Sequence, residues 1–263
     1  MLYKLQYYNM YNKFNKSSYG LALCRKNKFT KKLEILMVKK RCSYQFIDFV
    51  LGKYNIKKKN TLMNLFDNMT NDEKIDIASL DFNRIWYRVW MNNPEKDPVS
   101  SRVKNIYLKS RSKFERTFIF YYSNNPGVEL ISMLNQSKSN SRLWEIPKGR
   151  KELFETSLDC AIREFEEETN ITSNCYKLIT ELHPNEISYD IGKIRYTFAY
   201  WTALATCNIK NTDRLNYQNN IQISEVVSIK WMDLDTVKKL DSYRKYYKLV
   251  KKIFKDLNMY INN

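Results

Sequence analysis

The sequence contains little of several residues on which whole classes of protein depend. Its 263 residues include one histidine, five glycines, five prolines and five cysteines, with no CxxC pair. Chemistry built on several histidine ligands is therefore excluded, and the cysteine spacing carries no zinc signature. No apolar run approaches the roughly 18 residues that span a bilayer. The first twenty residues lack the apolar stretch of a secretory signal, so we expect a cytoplasmic protein with reduced cysteines.

Negative charge is also scarce. The chain has 28 Asp and Glu against 45 Lys and Arg, which gives a net charge of +17. Residues 1–42 carry +10 of this charge, residues 43–140 carry +5 and residues 141–263 carry +2. Such an excess favours polyanions such as RNA, DNA, polyphosphates or anionic membranes. A compositional bias towards Lys, Asn, Ile and Tyr explains the bulk charge equally well, but it does not explain the concentration at the N-terminus.

The two ends of the chain have the pattern of one α/β domain. Short apolar runs at 19–24 and 34–38 predict the strands of a hairpin with a basic loop. After residue 141, a strand, a turn and a helix follow one another. Further strands are predicted near 176–181, 194–205 and 226–231, and an amphipathic helix from about 235 to 258. We therefore assign residues 1–42 and 141–263 to one discontinuous domain.

The middle of the chain differs. Residues 43–140 show apolar side chains at helical spacing, and helix starts are predicted at residues 71–73 and at Asp81. This pattern predicts an all-helical domain inserted into the α/β domain. Trp86 and Trp90 share one helix face at spacing i, i+4, and packing inside the inserted domain is their favoured use.

The most informative acids lie close together. Glu164, Glu167 and Glu168 are spaced i, i+3, i+4, so a helix places all three on one face, where like charges repel. A divalent cation would relieve this repulsion, and carboxylate oxygens suit Mg²⁺ or Mn²⁺. Since Mg²⁺ keeps several waters and binds substrate phosphates, such a site predicts a phosphorylated substrate. The alternative is a solvated acidic helix face.

The spacing around these acids resembles the Nudix box, the signature G-x5-E-x7-R-E-U-x-E-E-x-G-U of the Nudix hydrolases, where U is a bulky aliphatic residue. The charged positions and the first glycine are met by Gly149, Glu155, Arg163, Glu164, Glu167 and Glu168. Phe165 replaces an aliphatic residue. Asn170 replaces the glycine after the helix, and asparagine is the next-best residue for a left-handed helix end.

The resemblance implies a fold and a chemistry. The fold is an α/β/α sandwich with a mixed sheet, and the reaction is metal-dependent hydrolysis of a pyrophosphate bond with Mg²⁺ or Mn²⁺. It makes Glu164, Glu167 and Glu168 metal ligands with catalytic roles, and the carbonyl of Gly149 a further ligand. Arg163 would pair with Glu155 and orient Glu164.

Two flanking segments resemble those of messenger-RNA-decapping Nudix enzymes. In the segment WEIPKG, residues 144–149, the resemblance makes Lys148 a phosphate contact; the alternative is a solvated lysine in a turn. In the segment SEVVSIKW, residues 224–231, it makes Glu225 a candidate general base, with Glu167 and Glu168 as rivals.

The likeness extends over most of the chain to the Nudix decapping proteins of large cytoplasmic DNA viruses, above all the asfarvirus type. It implies a capped messenger RNA substrate, release of 7-methyl-GDP and 5′-monophosphate RNA, and action in the host cytoplasm. We expect the inserted domain to bind RNA through the basic stretch 102–116, with residues 57–59 second. The candidates within the stretch are Lys104, Lys109, Arg111 and Lys113; a solvated face is the alternative.

Two other functions remain open. The first is hydrolysis of a small polyanion, either a diphosphoinositol polyphosphate, which the viral resemblance also implies, or a dinucleoside polyphosphate. The second is RNA binding without catalysis on a Nudix fold. The retention of every acid of the box disfavours this last function. The sequence gives no sign of a membrane or of an obligate protein partner.

Overall fold

The computed structural model describes residues 14–120, 125, 127–140, 144–191, 194–207, 209, 215–240 and 245–262. The chain divides into two compact units. One unit, here called the α/β unit, comprises Met1–Lys39 and Trp144–Asn263, and the other, the helical unit, comprises Lys40–Leu143. These limits differ by a few residues from the limits drawn on the sequence.

A mixed sheet forms the centre of the α/β unit. Strand β1 (Phe14–Lys26) pairs antiparallel with β2 (Leu33–Lys40), which makes the hairpin predicted at 19–24 and 34–38. The later strands, as far as the structure describes them, are β3 (Trp144–Glu145), β4 (Lys148–Gly149), β5 (Tyr176–Leu178), β6 (Asn185–Ile191), β7 (Ile194–Ala205) and β8 (Val226–Asp233). Strand β7 runs parallel to β1, with Gly20 opposite Tyr200, whereas β5 and β6 are antiparallel to β7.

Both faces of this sheet are buried, and successive residues of a strand contribute to opposite faces because their side chains point in opposite directions. Leu21 and Leu23 of β1 pack on one face with Phe165, and Ala22 and Cys24 pack on the other. The helices that cover these faces are α7 (Ser157–Thr169) and α10 (Lys245–Asn262), which contribute Phe165 and Ile253, respectively. The predicted fold class, an α/β/α sandwich with a mixed sheet, is confirmed.

Three details of the α/β unit differ from the sequence-based predictions. Strand β6 was not predicted, and β5 is shorter than the predicted strand. The single helix predicted from about 235 to 258 is described as α9 (Leu234–Leu240) followed by α10, and residues 241–244 lie outside the described part. A short α8 (Asn220–Glu225) and a 3₁₀ turn (Ser173–Cys175) complete the described elements.

Apart from Lys40, the last residue of β2, the described residues of the helical unit contain only helices as regular structure. These are α1 (Tyr44–Val50), α2 (Lys59–Asp67), α3 (Asn71–Ala78), α4 (Phe82–Trp90), α5 (Ser101–Phe114), a π-helical segment (Glu115–Phe120) and α6 (Val128–Gln136). Their core is largely aromatic and includes Trp86, which stacks on Trp90 with ring centroids 4.0 Å apart. Packing of this pair inside the unit is therefore confirmed.

The cysteines differ from the expectation of reduced thiols. Cys175 and Cys207 form a disulfide, with Cα atoms 5.0 Å apart. The antiparallel pairing of β5 and β7 brings the two residues together, because Cys175 immediately precedes the paired Tyr176 and Cys207 lies two residues after its partner Ala205. Cys24, Cys42 and Cys160 are free thiols.

Among the described residues, no helix combines the length and the apolar character needed to cross a membrane.

Candidate active site

The acids of the Nudix-box resemblance lie on α7, which begins at a capping box. The hydroxyl of Thr156 accepts a hydrogen bond from the backbone N–H of Asp159, and the Asp159 side chain accepts one from the backbone N–H of Thr156. The helix ends at Asn170, whose φ of 56° is left-handed, as expected for a residue that takes the place of a glycine. Both ends of the helix are thus set locally.

The buried side of α7 explains the Phe165 departure. Phe165 is fully buried against the sheet and meets Tyr176 edge-on, with ring centroids 5.4 Å apart. Phe165 therefore packs α7 onto the sheet, while Glu164 and Glu167 are only partly buried. Glu168 is almost fully buried.

Strand β4 brings Gly149 against the helix. Gly149 is opposite Tyr19 of β1, and a Cβ atom built on Gly149 would lie 1.8 Å from Cδ of Glu164. Only glycine leaves space for the Glu164 carboxylate at this point. The close approach places a backbone segment next to the acids, as a binding site shared by a carbonyl and carboxylates requires.

Arg163 connects the acids with the preceding loop. Its Nε donates to Oε1 of Glu155 at 2.8 Å, and its Nη2 donates to Oε2 of Glu155 at 3.0 Å. The pair expected from the resemblance is thus present and bidentate. Nη1 of Arg163 also donates to Oε1 of Glu164 at 2.9 Å and to Oε2 of Glu167 at 3.1 Å. One guanidinium therefore holds three carboxylates of the box.

These contacts change the acidity of the carboxyl groups. The hydrogen bond from Arg163 lowers the pKa of Glu155 to about 2. Burial raises the pKa of Glu164, and the adjacent Arg163 opposes this rise. The negative charges of Glu225 and Glu167 raise it further. Glu225 and Glu167 therefore lie within electrostatic range of Glu164.

The donor set fits a hard divalent cation. Carboxylate and carbonyl oxygens are the ligands such cations take. The close approach at Gly149 places its backbone beside Glu164. The positive charge of Arg163 offsets the repulsion between the carboxylates of Glu164 and Glu167, and a bound cation would offset the same repulsion. Within the described ranges, no three His, Cys, Asp or Glu side chains already converge in a metal-binding arrangement. The ligands expected from the resemblance are Glu164, Glu167, Glu168 and the Gly149 carbonyl.

Glu225 is the last residue of α8 and is exposed. Helix α8 is tied to α7 by Gln222, whose Nε2 donates to the carbonyl oxygen of Glu168 at 3.2 Å. The backbone N–H of Gln222 in turn donates to Oδ1 of Asn219, which caps α8. Gln222 was not predicted from the sequence, because an isolated amide in an unremarkable segment carries no motif.

Lys148 is buried instead of solvated. Its Nζ is 2.7 Å from Oε1 of Glu145, and the side chains of both residues are less than a tenth exposed. The ammonium group also lies 5.5 Å from the centre of the Phe198 ring. The alternative of a solvated lysine in a turn is therefore wrong. Glu145 was also missed, although its i, i+3 spacing to Lys148 was visible in the sequence.

The four basic candidates of residues 102–116 fall into two kinds. Lys104 and Lys109 are exposed on α5. Arg111 instead pairs with Glu95 and with Glu115, the latter at 2.7 Å. The Nζ of Lys113 donates to the carbonyl oxygens of Gly52 at 2.6 Å and Tyr54 at 2.7 Å. Arg111 and Lys113 thus hold elements of the helical unit together.

Comparisons with known proteins show which family the chain is similar to. Residues 114–253 match the family described as the NUDIX domain. A protein of African swine fever virus described as mRNA-decapping protein g5R is 35% identical over 226 residues, which cover 85% of this chain and 87% of that relative. A protein of Acanthamoeba polyphaga mimivirus is 27% identical over 252 residues, which cover 89% of this chain and 67% of the relative. A solved C. elegans Ap4A hydrolase is similar at a TM-score of 0.44 and 16% identity, over 92% of this chain and 97% of that chain.

The chain belongs to the Nudix family, and it is a Nudix hydrolase. Members of this family generally need divalent metal ions. Its similarity to the viral decapping protein covers most of both chains.

Proposed function

We propose that this protein removes the cap from messenger RNA by hydrolysing a pyrophosphate bond, which releases 7-methyl-GDP and RNA with a 5′-monophosphate. The observation that carries the proposal is the complete Glu155, Arg163, Glu164 and Glu167 network in a chain 35% identical to a decapping protein. With capped messenger RNA as the substrate, the proposed site of action is the host cytoplasm.

The chain's own residues divide the work between holding the cation and positioning its ligands. Glu164, Glu167, Glu168 and the Gly149 carbonyl would hold Mg²⁺ or Mn²⁺. When bound, this cation supplies positive charge to the phosphoryl oxygens of the substrate. Arg163, anchored bidentately on Glu155, keeps Glu164 and Glu167 aligned. A bidentate guanidinium restricts both partners more than a single hydrogen bond does.

Glu225 is proposed to accept the proton of the attacking water on its carboxylate. Its position at the end of α8 is held by the Gln222 contact to α7, and it lies within electrostatic range of Glu164. Glu167 and Glu168 are the alternatives for this role. Lys148 is proposed to contribute at the phosphate side of the site from its buried pair with Glu145.

The helical unit is proposed to bind the body of the RNA. Lys104 and Lys109 are exposed on α5, and the excess of positive charge in residues 43–140 suits a phosphate backbone. Arg111 and Lys113 support this surface by holding α5 to its neighbours.

The test uses RNA labelled in its cap, with Mg²⁺ or Mn²⁺ added. We expect the wild-type protein to release 7-methyl-GDP. The Glu167→Gln variant should be about 100-fold slower or more, because it lacks one carboxylate of the proposed metal site and the cation then stabilises the reacting phosphate less. Glu166→Gln is the matched control. Glu166 lies on the same helix but accepts from Ser173 N at 3.0 Å and Tyr176 Oη at 3.2 Å, away from Arg163.

Two outcomes would contradict the proposal. Equal activity of Glu167→Gln and wild type would show that the metal assignment is wrong. Faster hydrolysis of a diphosphoinositol polyphosphate or of a dinucleoside polyphosphate than of capped RNA would leave Nudix chemistry in place but replace the substrate. The names of the relatives described above give no support to inositol pyrophosphates.

A further inference from the structure

The loop between Gly149 and α7 ends in an apolar tip. Leu153 is 88% exposed and the side chain of Phe154 is fully exposed. Both residues belong to the turn that immediately precedes Glu155, the partner of Arg163. A large aromatic ring held entirely in water gains nothing from burial, so its position calls for a separate explanation.

The backbone at Phe154 adds a second observation. Its φ is 66°, in the left-handed region where glycine is favoured and a bulky side chain is costly. The Phe154 side chain is fully exposed, so its own burial does not offset this cost. Backbone strain of this kind occurs preferentially at functional sites.

The turn is fixed at both ends. The backbone N–H of Glu152 donates to Oε2 of Glu155 at 2.9 Å, and the N–H of Glu155 approaches the carbonyl oxygen of Glu152 at 3.4 Å. Nη2 of Arg163 donates to the carbonyl oxygen of Arg150 at 3.1 Å. The same arginine therefore holds the loop and the acids Glu164 and Glu167. The apolar tip is presented from a preorganised turn next to the catalytic helix.

Size and charge indicate what could cover the tip. An aromatic side chain offers about 150–250 Å² of surface, whereas one side of a stable protein interface buries about 800 Å². Two residues are therefore too small for a protein partner but match the face of a single nucleobase. Arg150 and Lys151 are exposed in the same loop, with one exposed acid, Glu152, beside them. Cations interleaved with an aromatic ring form the usual surface for a single strand of nucleic acid.

We propose that Phe154, supported by Leu153, stacks on a nucleobase of the substrate and holds that nucleotide beside the Glu155–Arg163 pair. Arg150 and Lys151 would contact the adjoining phosphates. This inference rests on the proposed function, because the stacked base belongs to the capped RNA.

The test compares three variants. Phe154→Gly removes the ring and suits the left-handed backbone, so a loss of binding would not come from strain. Phe154→Trp keeps a stacking face and adds a fluorophore. Phe29→Ala is the matched control, since Phe29 is 94% exposed on the β1–β2 loop of the same unit. The probe is capped RNA in EDTA, so that no turnover interferes, and melting temperatures are measured in parallel.

We expect Phe154→Gly to weaken RNA binding about tenfold or more, the range found when a base loses its stacking partner. Its melting temperature should stay at or above the wild-type value, because the substitution relieves the strained φ. Phe154→Trp should bind like the wild type, and its extra fluorescence should be quenched by RNA. Phe29→Ala should bind unchanged.

Wild-type affinity in Phe154→Gly, or no quenching in Phe154→Trp at saturating RNA, would overturn the inference. So would equal weakening in Phe29→Ala, which would mean general surface adhesion. The two proposals fail separately. A protein that stacks RNA in EDTA but releases no 7-methyl-GDP with metal would refute the proposed function alone. A protein that removes caps equally well with Phe154→Gly would refute the stacking alone.

Discussion

The side-chain amide of Gln222 donates to the carbonyl oxygen of Glu168 at 3.2 Å, and this bond joins two helices through residues that are 54 positions apart in sequence. Gln222 is almost fully buried, and its Oε1 also accepts from the backbone N–H of Asn216 at 2.9 Å. Helix α8, which ends at Glu225, is thus aligned on α7, which carries the three acids. Gln222 is a positioning residue for the proposed base.

Replacing Gln222 by methionine tests whether Gln222 positions Glu225. Methionine fills a similar volume but cannot donate to Glu168, so Glu225 should lose its fixed place. We expect kcat for cap release to fall about tenfold or more, as for other outer residues that orient a catalytic group. Measured KM should change less than kcat. An unchanged kcat would show that Glu225 is positioned by other contacts or has no part in the reaction.

The Glu155–Arg163 pair predicts how stability depends on pH. The pKa of Glu155 is lowered from 4.5 to about 2, chiefly by the hydrogen bond from Arg163, with lesser help from the backbone of Glu152 and from Cys160. Since the folded pKa lies below the unfolded one, this pair stabilises the fold above about pH 4.5 and the contribution is lost as the pH falls towards 2.

The comparison is between wild type and Glu155→Gln, with the free energy of unfolding measured by urea denaturation from pH 6 to pH 2. The wild-type protein should lose more stability over the window from about pH 4.5 to about 2 than the variant does. Parallel curves for the two proteins across this window would show that Arg163 does not stabilise the ionised form of Glu155.

The buried pair of Lys148 and Glu145 makes a different prediction. Lys148→Met removes one partner of a buried carboxylate, and breaking such a pair costs about 3–5 kcal/mol. The double variant Lys148→Met, Glu145→Leu should recover much of this loss, because no charge is then buried. Thermal and urea unfolding of both variants test this. If the single variant is as stable as the wild type, the pair of Lys148 and Glu145 does not stabilise the fold in solution.

The basic residues of α5 should separate into two groups. The double variant Lys104→Ala, Lys109→Ala should weaken RNA binding and reduce the slope of log affinity against log salt by about 2, with no change in melting temperature. Lys113→Ala should lower the melting temperature, since it removes the bonds to Gly52 and Tyr54. Salt titrations of binding are the measurement. If the dependence of log affinity on log salt is unchanged in the double variant, the helical unit does not form part of the proposed RNA-binding surface.

The sequence by itself determined the parts of this protein that depend on local periodicity. The spacing of Arg163, Glu164 and Glu167 places them on neighbouring positions of a helix in any fold. The same helix begins after its N-cap residue Thr156 and stops at its C-cap residue Asn170, so both of its limits are set by residues in the segment itself. The hairpin strands and the separation of helical from α/β segments likewise follow from patterns within a few residues.

Only the tertiary structure decided which polar and charged groups face solvent and which form hydrogen bonds or ion pairs with distant residues. Lys113 finds its carbonyl partners 61 and 59 residues away, and Gln222 finds Glu168 54 residues away. No local pattern encodes such pairings, because they arise when distant segments pack and leave a polar group to be satisfied. For the same reason the full exposure of Phe154 became visible only in the fold: the sequence shows a phenylalanine, and the absence of anything packed around it is a property of the folded chain.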